Sequence, residues 1–226
     1  MIPRDGPAEE ASPLRLFVAI DLPDDVKQAL GAAIESLRTA LQSDALRWVR
    51  PDGIHLTLQF LGATSQARVP DIAFALEAAV RGVPAFGLAA GTLGSFGGRQ
   101  RLRVIWLGLS GDEPAAAHLA ARVHSALQPL GFAPDREPFR PHLTLASVRD
   151  DASREERQRL YDMLRRTSPP VPPPFRVERI SLMQSTLARG GAVYQTLARF
   201  SLAAVTATGS GSTNIDAGDR RPTTDD

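Results

Sequence analysis

The chain has 226 residues, no cysteine and a net charge of +1, and 43% of its residues are hydrophobic. This composition supplies enough apolar side chains for a core, while the lack of cysteine excludes disulfides, a thiolate nucleophile and thiolate zinc sites. No run of apolar residues approaches the 18 that a transmembrane helix needs, and the opening segment MIPRDGPAEEASP lacks the apolar run of a signal peptide. We therefore expect a cytoplasmic protein.

The charge is unevenly distributed along the chain. Residues 1–13 and 203–226 each carry a net charge of −2, which leaves +5 on the segment between them. Both ends are polar and lack periodicity, so we predict a disordered N-terminus at 1–13, one folded domain at 14–202 and a disordered tail at 203–226. The positive body favours an anionic partner, but it is too weakly basic for a typical duplex-binding protein.

Strand-like and helix-like patterns alternate between the two ends. The first strand is predicted at 14–22 and is followed by a helix at 23–41, which has proline and acids in its first turn. The remaining predicted elements are, in chain order, strands at 46–49 and 54–62, a helix at 69–83, a glycine-rich bend at 89–98, a strand at 102–109, a helix at 113–131, a strand at 142–148, a helix at 153–167, a proline-rich stop at 168–175, and strands at 176–187 and 192–202 around a hairpin turn, ARGG. These patterns predict an α+β fold with mostly antiparallel sheets.

The tetrapeptide HLTL occurs twice and uses two of the four histidines in the chain. His55 and His142 open the two copies, which lie about 87 positions apart on predicted strands. Because successive side chains of a strand point to opposite faces, each copy presents a histidine and a threonine on one face and two leucines on the other. The repetition indicates two similar lobes. If the lobes face each other, His55, Thr57, His142 and Thr144 lie in one cleft.

Two histidines and two threonines suit acid–base chemistry at phosphorus. One imidazole activates the attacking oxygen, a second protonates the departing oxygen, and hydroxyl groups stabilise the charge on the phosphate oxygens. A zinc site built on His55 and His142 is the alternative, but neither motif contains a carboxylate and no His-x₃-His pair occurs. We therefore expect no metal and no cofactor.

Four segments in the order RLFVAIDLP, WVRPDGIHLTLQFLG, RVIWLGL and FRPHLTLAS resemble the 2H phosphoesterase superfamily, which is defined by two His-x-Thr-x motifs. The resemblance is strongest to its RNA 2′,3′-cyclic phosphodiesterase family, also called 2′-5′ RNA ligase, and covers residues 14–202. It implies two pseudo-symmetric lobes around a central cleft, with helices on the outside.

The resemblance also implies an activity, which is the metal-free hydrolysis of a terminal 2′,3′-cyclic phosphate on RNA to a 2′-phosphate. In that scheme His55 is the proton donor, His142 is the proton acceptor, and Thr57 and Thr144 bind the phosphate. The alternatives are another 2H activity, either on small cyclic nucleotides or as reversible 2′-5′ RNA ligation, and an RNA-end binding module without catalysis. The implied partners are RNA 3′ ends or nucleotides with a cyclic phosphate, without a membrane, and a monomer is expected.

The chain departs from the family pattern after both motifs, where relatives often carry a basic residue. Gln59 and Ser147 stand there instead, with Arg149 two positions beyond Ser147. Nearby arginines are the candidates to replace the missing charges. These candidates are Arg99, Arg101, Arg103, Arg136 and Arg140.

Several further residues are interpreted mainly as structural. His118 and His124 are six positions apart on a predicted helix, so they cannot share a metal ion. Aromatic side chains near the motifs can stack on a base, but core packing is the preferred interpretation for each of them. These are Trp48, Phe60 and Phe139. Phe60, Arg140 and Arg149 are kept as possible substrate-binding residues.

Overall fold

The structure is a computed structural model that describes residues 12–133, 137–188 and 191–204. It contains four α-helices and nine strands within those ranges. The helices are α1 (Asp24–Leu41), α2 (Val69–Val80), α3 (Glu113–Leu127) and α4 (Arg154–Leu164). The strands are β1 (Leu14–Asp21), β2 (Leu46–Trp48), β3 (His55–Thr64), β4 (Phe86–Phe96), β5 (Val104–Gly111), β6 (His142–Val148), β7 (Phe175–Val177), β8 (Arg179–Ala188) and β9 (Gly191–Ser201).

The strands form two antiparallel sheets, each of which carries one HLTL motif. The first sheet has the order β3-β1-β8-β9 and the second has the order β2-β6-β5-β4-β7. All strand pairs within both sheets are antiparallel. The predicted α+β class with antiparallel sheets is therefore confirmed.

The two halves of the chain repeat one arrangement and exchange a strand. The first half runs β1, α1, β3, α2, β4, and the second runs β5, α3, β6, α4, β8. In both halves the motif strand pairs with the strand that opens the half, but the third strand, β4 or β8, joins the sheet of the other half. The pseudo-symmetric lobes are thus real, although neither lobe is a continuous segment of the chain.

One core joins the two lobes. Leu30 of α1, Leu56 of β3, Leu119 of α3 and Leu143 of β6 are all fully buried in a single apolar cluster. A smaller cluster formed by Phe17, Ala19, Met183 and Tyr194 lies on the opposite face of the first sheet. The alternation along β1 explains this division, since Leu16, Val18 and Ile20 belong to the main core while Phe17 and Ala19 do not. The helices cover the core faces of the sheets and leave the other faces for a cleft.

The predicted glycine-rich bend at 89–98 is wrong, because β4 runs through most of it. Gly94 lies beneath the indole of Trp106 on β5, where a Cβ would overlap the ring. Gly91 and Gly108 also approach closely, at a bulge where β4 has one extra residue. These glycines permit close packing of two strands rather than a change of chain direction.

The predicted strand at 176–187 is two strands in different sheets. β7 pairs with β4 in the second sheet, and β8 pairs with β1 and β9 in the first. The change occurs where Glu178 and Arg179 are both exposed and interrupt the alternation of buried and exposed residues. β8 and β9 form the predicted hairpin, whose turn residues 189–190 lie outside the described part of the chain.

The predicted disordered ends fall almost entirely outside the described residues. Ala203, the first residue of the predicted tail, is described, and its amide donates a hydrogen bond to the carbonyl of Val83. The amide of Ala85 in turn donates to the carbonyl of Ala203. Among the described helices, none combines the length and apolar character needed to span a bilayer.

Candidate active site

Each HLTL motif opens a strand and shows the same alternation. His55 and Thr57 are partly exposed while Leu56 and Leu58 are buried, and the second motif has the same pattern from His142 to Leu145. Both strands also contain a β-bulge at the last leucine of the motif, since Leu58 has no partner on β1 and Leu145 has none on β5. The two copies are thus equivalent in backbone geometry as well as in sequence.

Helix α3 supports the first bulge. The ring of His124 donates a hydrogen bond from Nε2 to the carbonyl of Leu58, with an N–O distance of 3.0 Å. That carbonyl belongs to the residue that the β1–β3 ladder leaves unpaired, so the bond stabilises the irregular backbone beside the site. His118, on the same helix, is exposed. Both histidines lie on α3, as expected, and neither lines the cleft described below.

Both motif histidines are oriented by a backbone carbonyl two residues earlier. Nδ1 of His55 lies 2.8 Å from the carbonyl oxygen of Gly53, and Nδ1 of His142 lies 2.6 Å from that of Arg140. A carbonyl oxygen can only accept, so Nδ1 carries the proton in both rings. The neutral tautomer then leaves the lone pair on Nε2, which is the atom available for proton transfer.

Aromatic side chains fix both imidazole rings. The ring of Phe17 lies 4.7 Å from that of His55, and Tyr194 meets His55 edge-on at 5.0 Å. His142 meets Phe96 edge-on at 4.9 Å and lies 6.0 Å from Trp106. Each ring is therefore held on two sides before any substrate arrives.

Both histidines and both threonines line one cleft of about 460 Å³. The other lining residues come mainly from the first sheet and from the segment before β3. They are Arg15, Leu16, Phe17, Val49, Gly53, Ile54, Phe60, Gly62, Ser185, Leu187 and Tyr194. The structure thus brings together the four side chains for which the sequence predicted a common cleft.

The electrostatic environment of His55 favours its neutral form. Burial lowers the pKa of His55 below its ordinary value, and this effect outweighs the carbonyl of Gly53 and the carboxylate of Asp21, which both raise it. Lys27 and His142 lower it further. Asp21 lies opposite His55 on β1 and accepts a hydrogen bond of 2.6 Å from the hydroxyl of Ser181. In the unliganded protein, His55 is therefore more acidic than an ordinary histidine.

The predicted substrate-binding residues have different positions. Phe60 lines the cleft and is 61% exposed, so its location suits contact with a ligand rather than the core packing preferred from the sequence. Arg140 contributes its carbonyl to His142, while its side chain is exposed and outside the cleft lining. Arg149 is paired with Asp151 on an exposed turn and does not line the cleft either.

The other proposed arginine substitutes do not reach the cleft. Arg99 forms an ion pair with Asp162 of α4, and Arg101 and Arg103 are exposed but not part of the cleft lining. Arg101 and Arg103 are exposed on either side of the buried Leu102, so they share a face as expected, but that face is not part of the cleft. Arg136 lies outside the described residues.

Position 59 points away from the cleft. The inference that Gln59 removes a positive charge from the cleft is therefore wrong. The side chain of Gln59 is buried, and its amide nitrogen donates to the carbonyls of Phe132 and Ala133 at 3.4 and 3.3 Å. The bulge at Leu58 reverses the alternation, so residue 59 faces the interior. Gln59 therefore anchors the segment that follows α3. Trp48 and Phe139 pack against the core, as predicted.

Sequence reasoning missed several cleft residues of the first sheet, among them Arg15 and Tyr194. Arg15 alternates with Phe17 and Ala19 on the cleft face of β1, and Tyr194 packs its ring over Gly53 and His55. A period of two along the first strand could have indicated Arg15, once the face opposite the core was known. No local sequence pattern could have indicated Tyr194, because it lies on β9, which pairs with β8 and not directly with β1.

No group of three or more His, Cys, Asp or Glu side chains within the described ranges is arranged to hold a metal ion. Independence from metal stays a prediction that a chelator can test.

Comparison with known proteins identifies relatives over most of the chain. Residues 23–189 match the family model of the 2′-5′ RNA ligase superfamily. A protein of Escherichia coli named RNA 2′,3′-cyclic phosphodiesterase is 32% identical over 197 residues, which cover 85% of this chain and 98% of the relative. One of Thermotoga maritima with the same name is 30% identical, and the alignment covers 81% of this chain and 93% of the relative.

The fold is also found in solved structures. The crystal structure of E. coli LigT complexed with 3′-AMP superimposes with a TM-score of 0.65 at 30% identity and covers 84% of this chain and 98% of LigT. The sequence comparison and the structure comparison thus both find relatives that align over most of this chain.

Proposed function

Because the chain belongs to the 2′-5′ RNA ligase superfamily, we propose that it hydrolyses the terminal 2′,3′-cyclic phosphate of RNA to a 2′-phosphate. One observation carries the proposal, namely that His55, His142, Thr57 and Thr144 line a single cleft. The names of the relatives from E. coli and T. maritima support the same substrate.

The proposed reaction uses the two Nε2 atoms in opposite directions. Nε2 of His142 removes a proton from water as the water oxygen attacks phosphorus, and the bond from phosphorus to the 3′ oxygen breaks. Nε2–H of His55 donates its proton to that departing oxygen, which becomes the 3′ hydroxyl and leaves the phosphate on the 2′ oxygen. The hydroxyls of Thr57 and Thr144 donate hydrogen bonds to the non-bridging oxygens as negative charge grows on them.

The carbonyl contacts support these roles for the histidines. With Nδ1 of each ring tied to Gly53 or Arg140, both rings present the same nitrogen to a ligand in the cleft. The two motifs are nearly equivalent in backbone geometry. The assignment of His55 as donor and His142 as acceptor follows the family scheme.

The test is an assay of RNA that ends in a 2′,3′-cyclic phosphate, with a chelator present. We expect the product to carry its phosphate on the 2′ oxygen, and the His55→Ala and His142→Ala variants to lose roughly 10²–10⁴-fold in rate, as for a general acid or base. His118→Ala is the matched control, because His118 is exposed and outside the cleft lining. Full activity in the two motif variants would contradict the proposal.

The alternatives predict different products in the same assay. Reversible 2′-5′ ligation would place a 5′ hydroxyl of a second RNA where water attacks, so adding such an RNA would yield a joined product. A binding module would protect the cyclic end without turnover. An enzyme for small cyclic nucleotides would cleave a mononucleotide as fast as an oligonucleotide.

A further inference from the structure

The cleft is strongly asymmetric. His142 and Thr144 are the lining residues that belong to strands of the second sheet, whereas ten lining residues belong to strands of the first. A substrate whose phosphate lies between the motifs therefore has to extend along the face of the first sheet.

Side chains on that face are arranged in successive rows. Thr57 lies opposite Ala19 of β1, and two residues further along β1 Phe17 lies opposite Phe60. Two residues further still, Arg15 lies between Ala63 of β3 and Ser185 of β8. Four strand residues span about 13 Å, so an apolar row separates the phosphate-binding threonine from a guanidinium.

The row between them is suited to a nucleobase. Phe60, the β3 member of this row, lines the cleft and is 61% exposed. Phe17 lies behind Phe60, with the ring centroids 6.3 Å apart, and is itself buried. Every base has a face that can stack on an exposed aromatic ring, so Phe60 is suited to contact a base.

Arg15 supplies the charge at the far end of this surface. Among the cleft-lining residues that the structure describes, it is the one with a permanent positive charge. None of the ion pairs between described residues includes it, whereas Arg99, Arg149 and Arg159 are each held by a carboxylate. An exposed guanidinium in a cleft favours phosphate, which it can bind through two parallel hydrogen bonds.

We propose that this end of the cleft binds the terminal nucleoside of the RNA together with the phosphodiester on its 5′ side. The base lies on Phe60, and Arg15 binds the phosphodiester while the cyclic phosphate lies between the motifs. The proposal rests on the function proposed above and narrows its substrate to RNA of at least two nucleotides. It also assigns to Arg15 the positive charge of the cleft, which positions 59 and 147 do not line.

Three substrates test the proposal. They are adenosine 2′,3′-cyclic phosphate, the dinucleotide ApA with a 2′,3′-cyclic end, and the same dinucleotide with an uncharged methylphosphonate linkage. We expect the native protein to have its highest kcat/KM on the normal dinucleotide. Arg15→Gln is expected to lower that value roughly 10-fold, the size of one charge-assisted contact at a solvated site, and to change the other two less than twofold.

Two controls show whether the effect belongs to this subsite. Arg101→Gln removes an exposed arginine outside the cleft lining and should leave all three rates unchanged. Phe60→Ala should weaken binding of all three substrates, since each contains the terminal base. Arg15→Gln should also reduce the salt dependence of dinucleotide binding, because one phosphate contact is lost.

Two outcomes would overturn the proposal. An equal loss on all three substrates would place Arg15 on the cyclic phosphate itself, and unchanged rates on all three would leave it no role in binding. If the native protein cleaves none of them, calorimetry with adenosine 2′-phosphate and with ApA 2′-phosphate separates the two proposals. If the native protein binds ApA 2′-phosphate more tightly and Arg15→Gln removes this difference, the subsite is supported although the catalytic proposal fails. Equal affinities of the native protein for the two compounds would contradict the subsite.

Discussion

The two motif histidines share a sequence and a carbonyl contact, and each is flanked by two aromatic rings. His55 lies among Phe17 and Tyr194 in a mainly apolar part of the cleft, and burial lowers its pKa. A proton donor has to be protonated when it acts, so this shift opposes the role of His55 in the unliganded protein. An anionic phosphate bound beside the ring favours the imidazolium form and raises the pKa again.

This reversal gives a prediction for the pH dependence. At high pH the rate falls because the proton donor loses its proton. The pH of this fall, the alkaline limb of the profile, reflects the pKa of the donor in the free protein when kcat/KM is plotted, and its pKa in the substrate complex when kcat is plotted. A lowered pKa of His55 moves the kcat/KM limb to lower pH, and the bound phosphate moves the kcat limb to higher pH. We therefore expect the kcat limb at the higher pH of the two in steady-state profiles. Coincident limbs, or the opposite order, would contradict the donor role of His55.

The threonines provide a second test at this scale. Thr57→Val and Thr144→Val keep the side-chain shape but remove the hydroxyl, so each should lower kcat/KM about 10–100-fold through one lost hydrogen bond to a charged oxygen. Thr186→Val is a suitable control, because Thr186 is exposed on β8 outside the cleft lining. Circular dichroism should show an unchanged fold in all three variants. Activity near that of the native protein in both motif variants would exclude the threonines from phosphate binding.

At the scale of the elements, β4 determines the position of His142 through its neighbour β5. Gly94 on β4 accommodates the indole of Trp106, and Trp106 packs on the ring of His142. The glycine-rich sequence of β4 thus permits the packing that holds the ring of His142. The bulges on β3 and β6 also shape the site. They turn the residue that follows each motif, Gln59 or Ala146, away from the face that carries the histidine.

Gly94→Ala should therefore impair both stability and activity. The added methyl group overlaps the indole ring, and we expect the free energy of unfolding to fall by about 1–3 kcal/mol, as for other overpacked sites. Urea denaturation and kcat measure the two effects. Gly87→Ala on the same strand is the control, since a Cβ there meets no atom within 4 Å. Equal stability of the two variants would show that β4 can move away from Trp106.

At the scale of the whole molecule, the exchanged strands β4 and β8 tie the lobes into one core. Neither lobe has a complete sheet without a strand from the other half of the chain. We therefore expect the two sheets to unfold in a single transition, although they surround the cleft from opposite sides.

A core change in one lobe should be detected in the other. Leu56→Ala empties a fully buried position in the first sheet and should cost about 2–5 kcal/mol. Both tryptophans, Trp48 and Trp106, lie in the second sheet, so their fluorescence should report the same lowered Tm as circular dichroism. Phe74→Ala, at a side chain that is 80% exposed, should leave the Tm unchanged. A tryptophan transition unaffected by Leu56→Ala would show that the lobes unfold independently.

The sequence by itself determined most of the local structure and which side chains meet in the cleft. Period-two and helical patterns predicted most strands and all four helices, and the repeated HLTL identified the four side chains that meet in the cleft. These features are encoded by neighbouring residues, because side-chain direction in a strand follows from local geometry. The tertiary structure alone decided the exchange of β4 and β8, the inward turn of Gln59 at a bulge, and the position of Arg15 beside Ser185. Each of these depends on pairing between distant segments, which the order of residues along one strand does not specify.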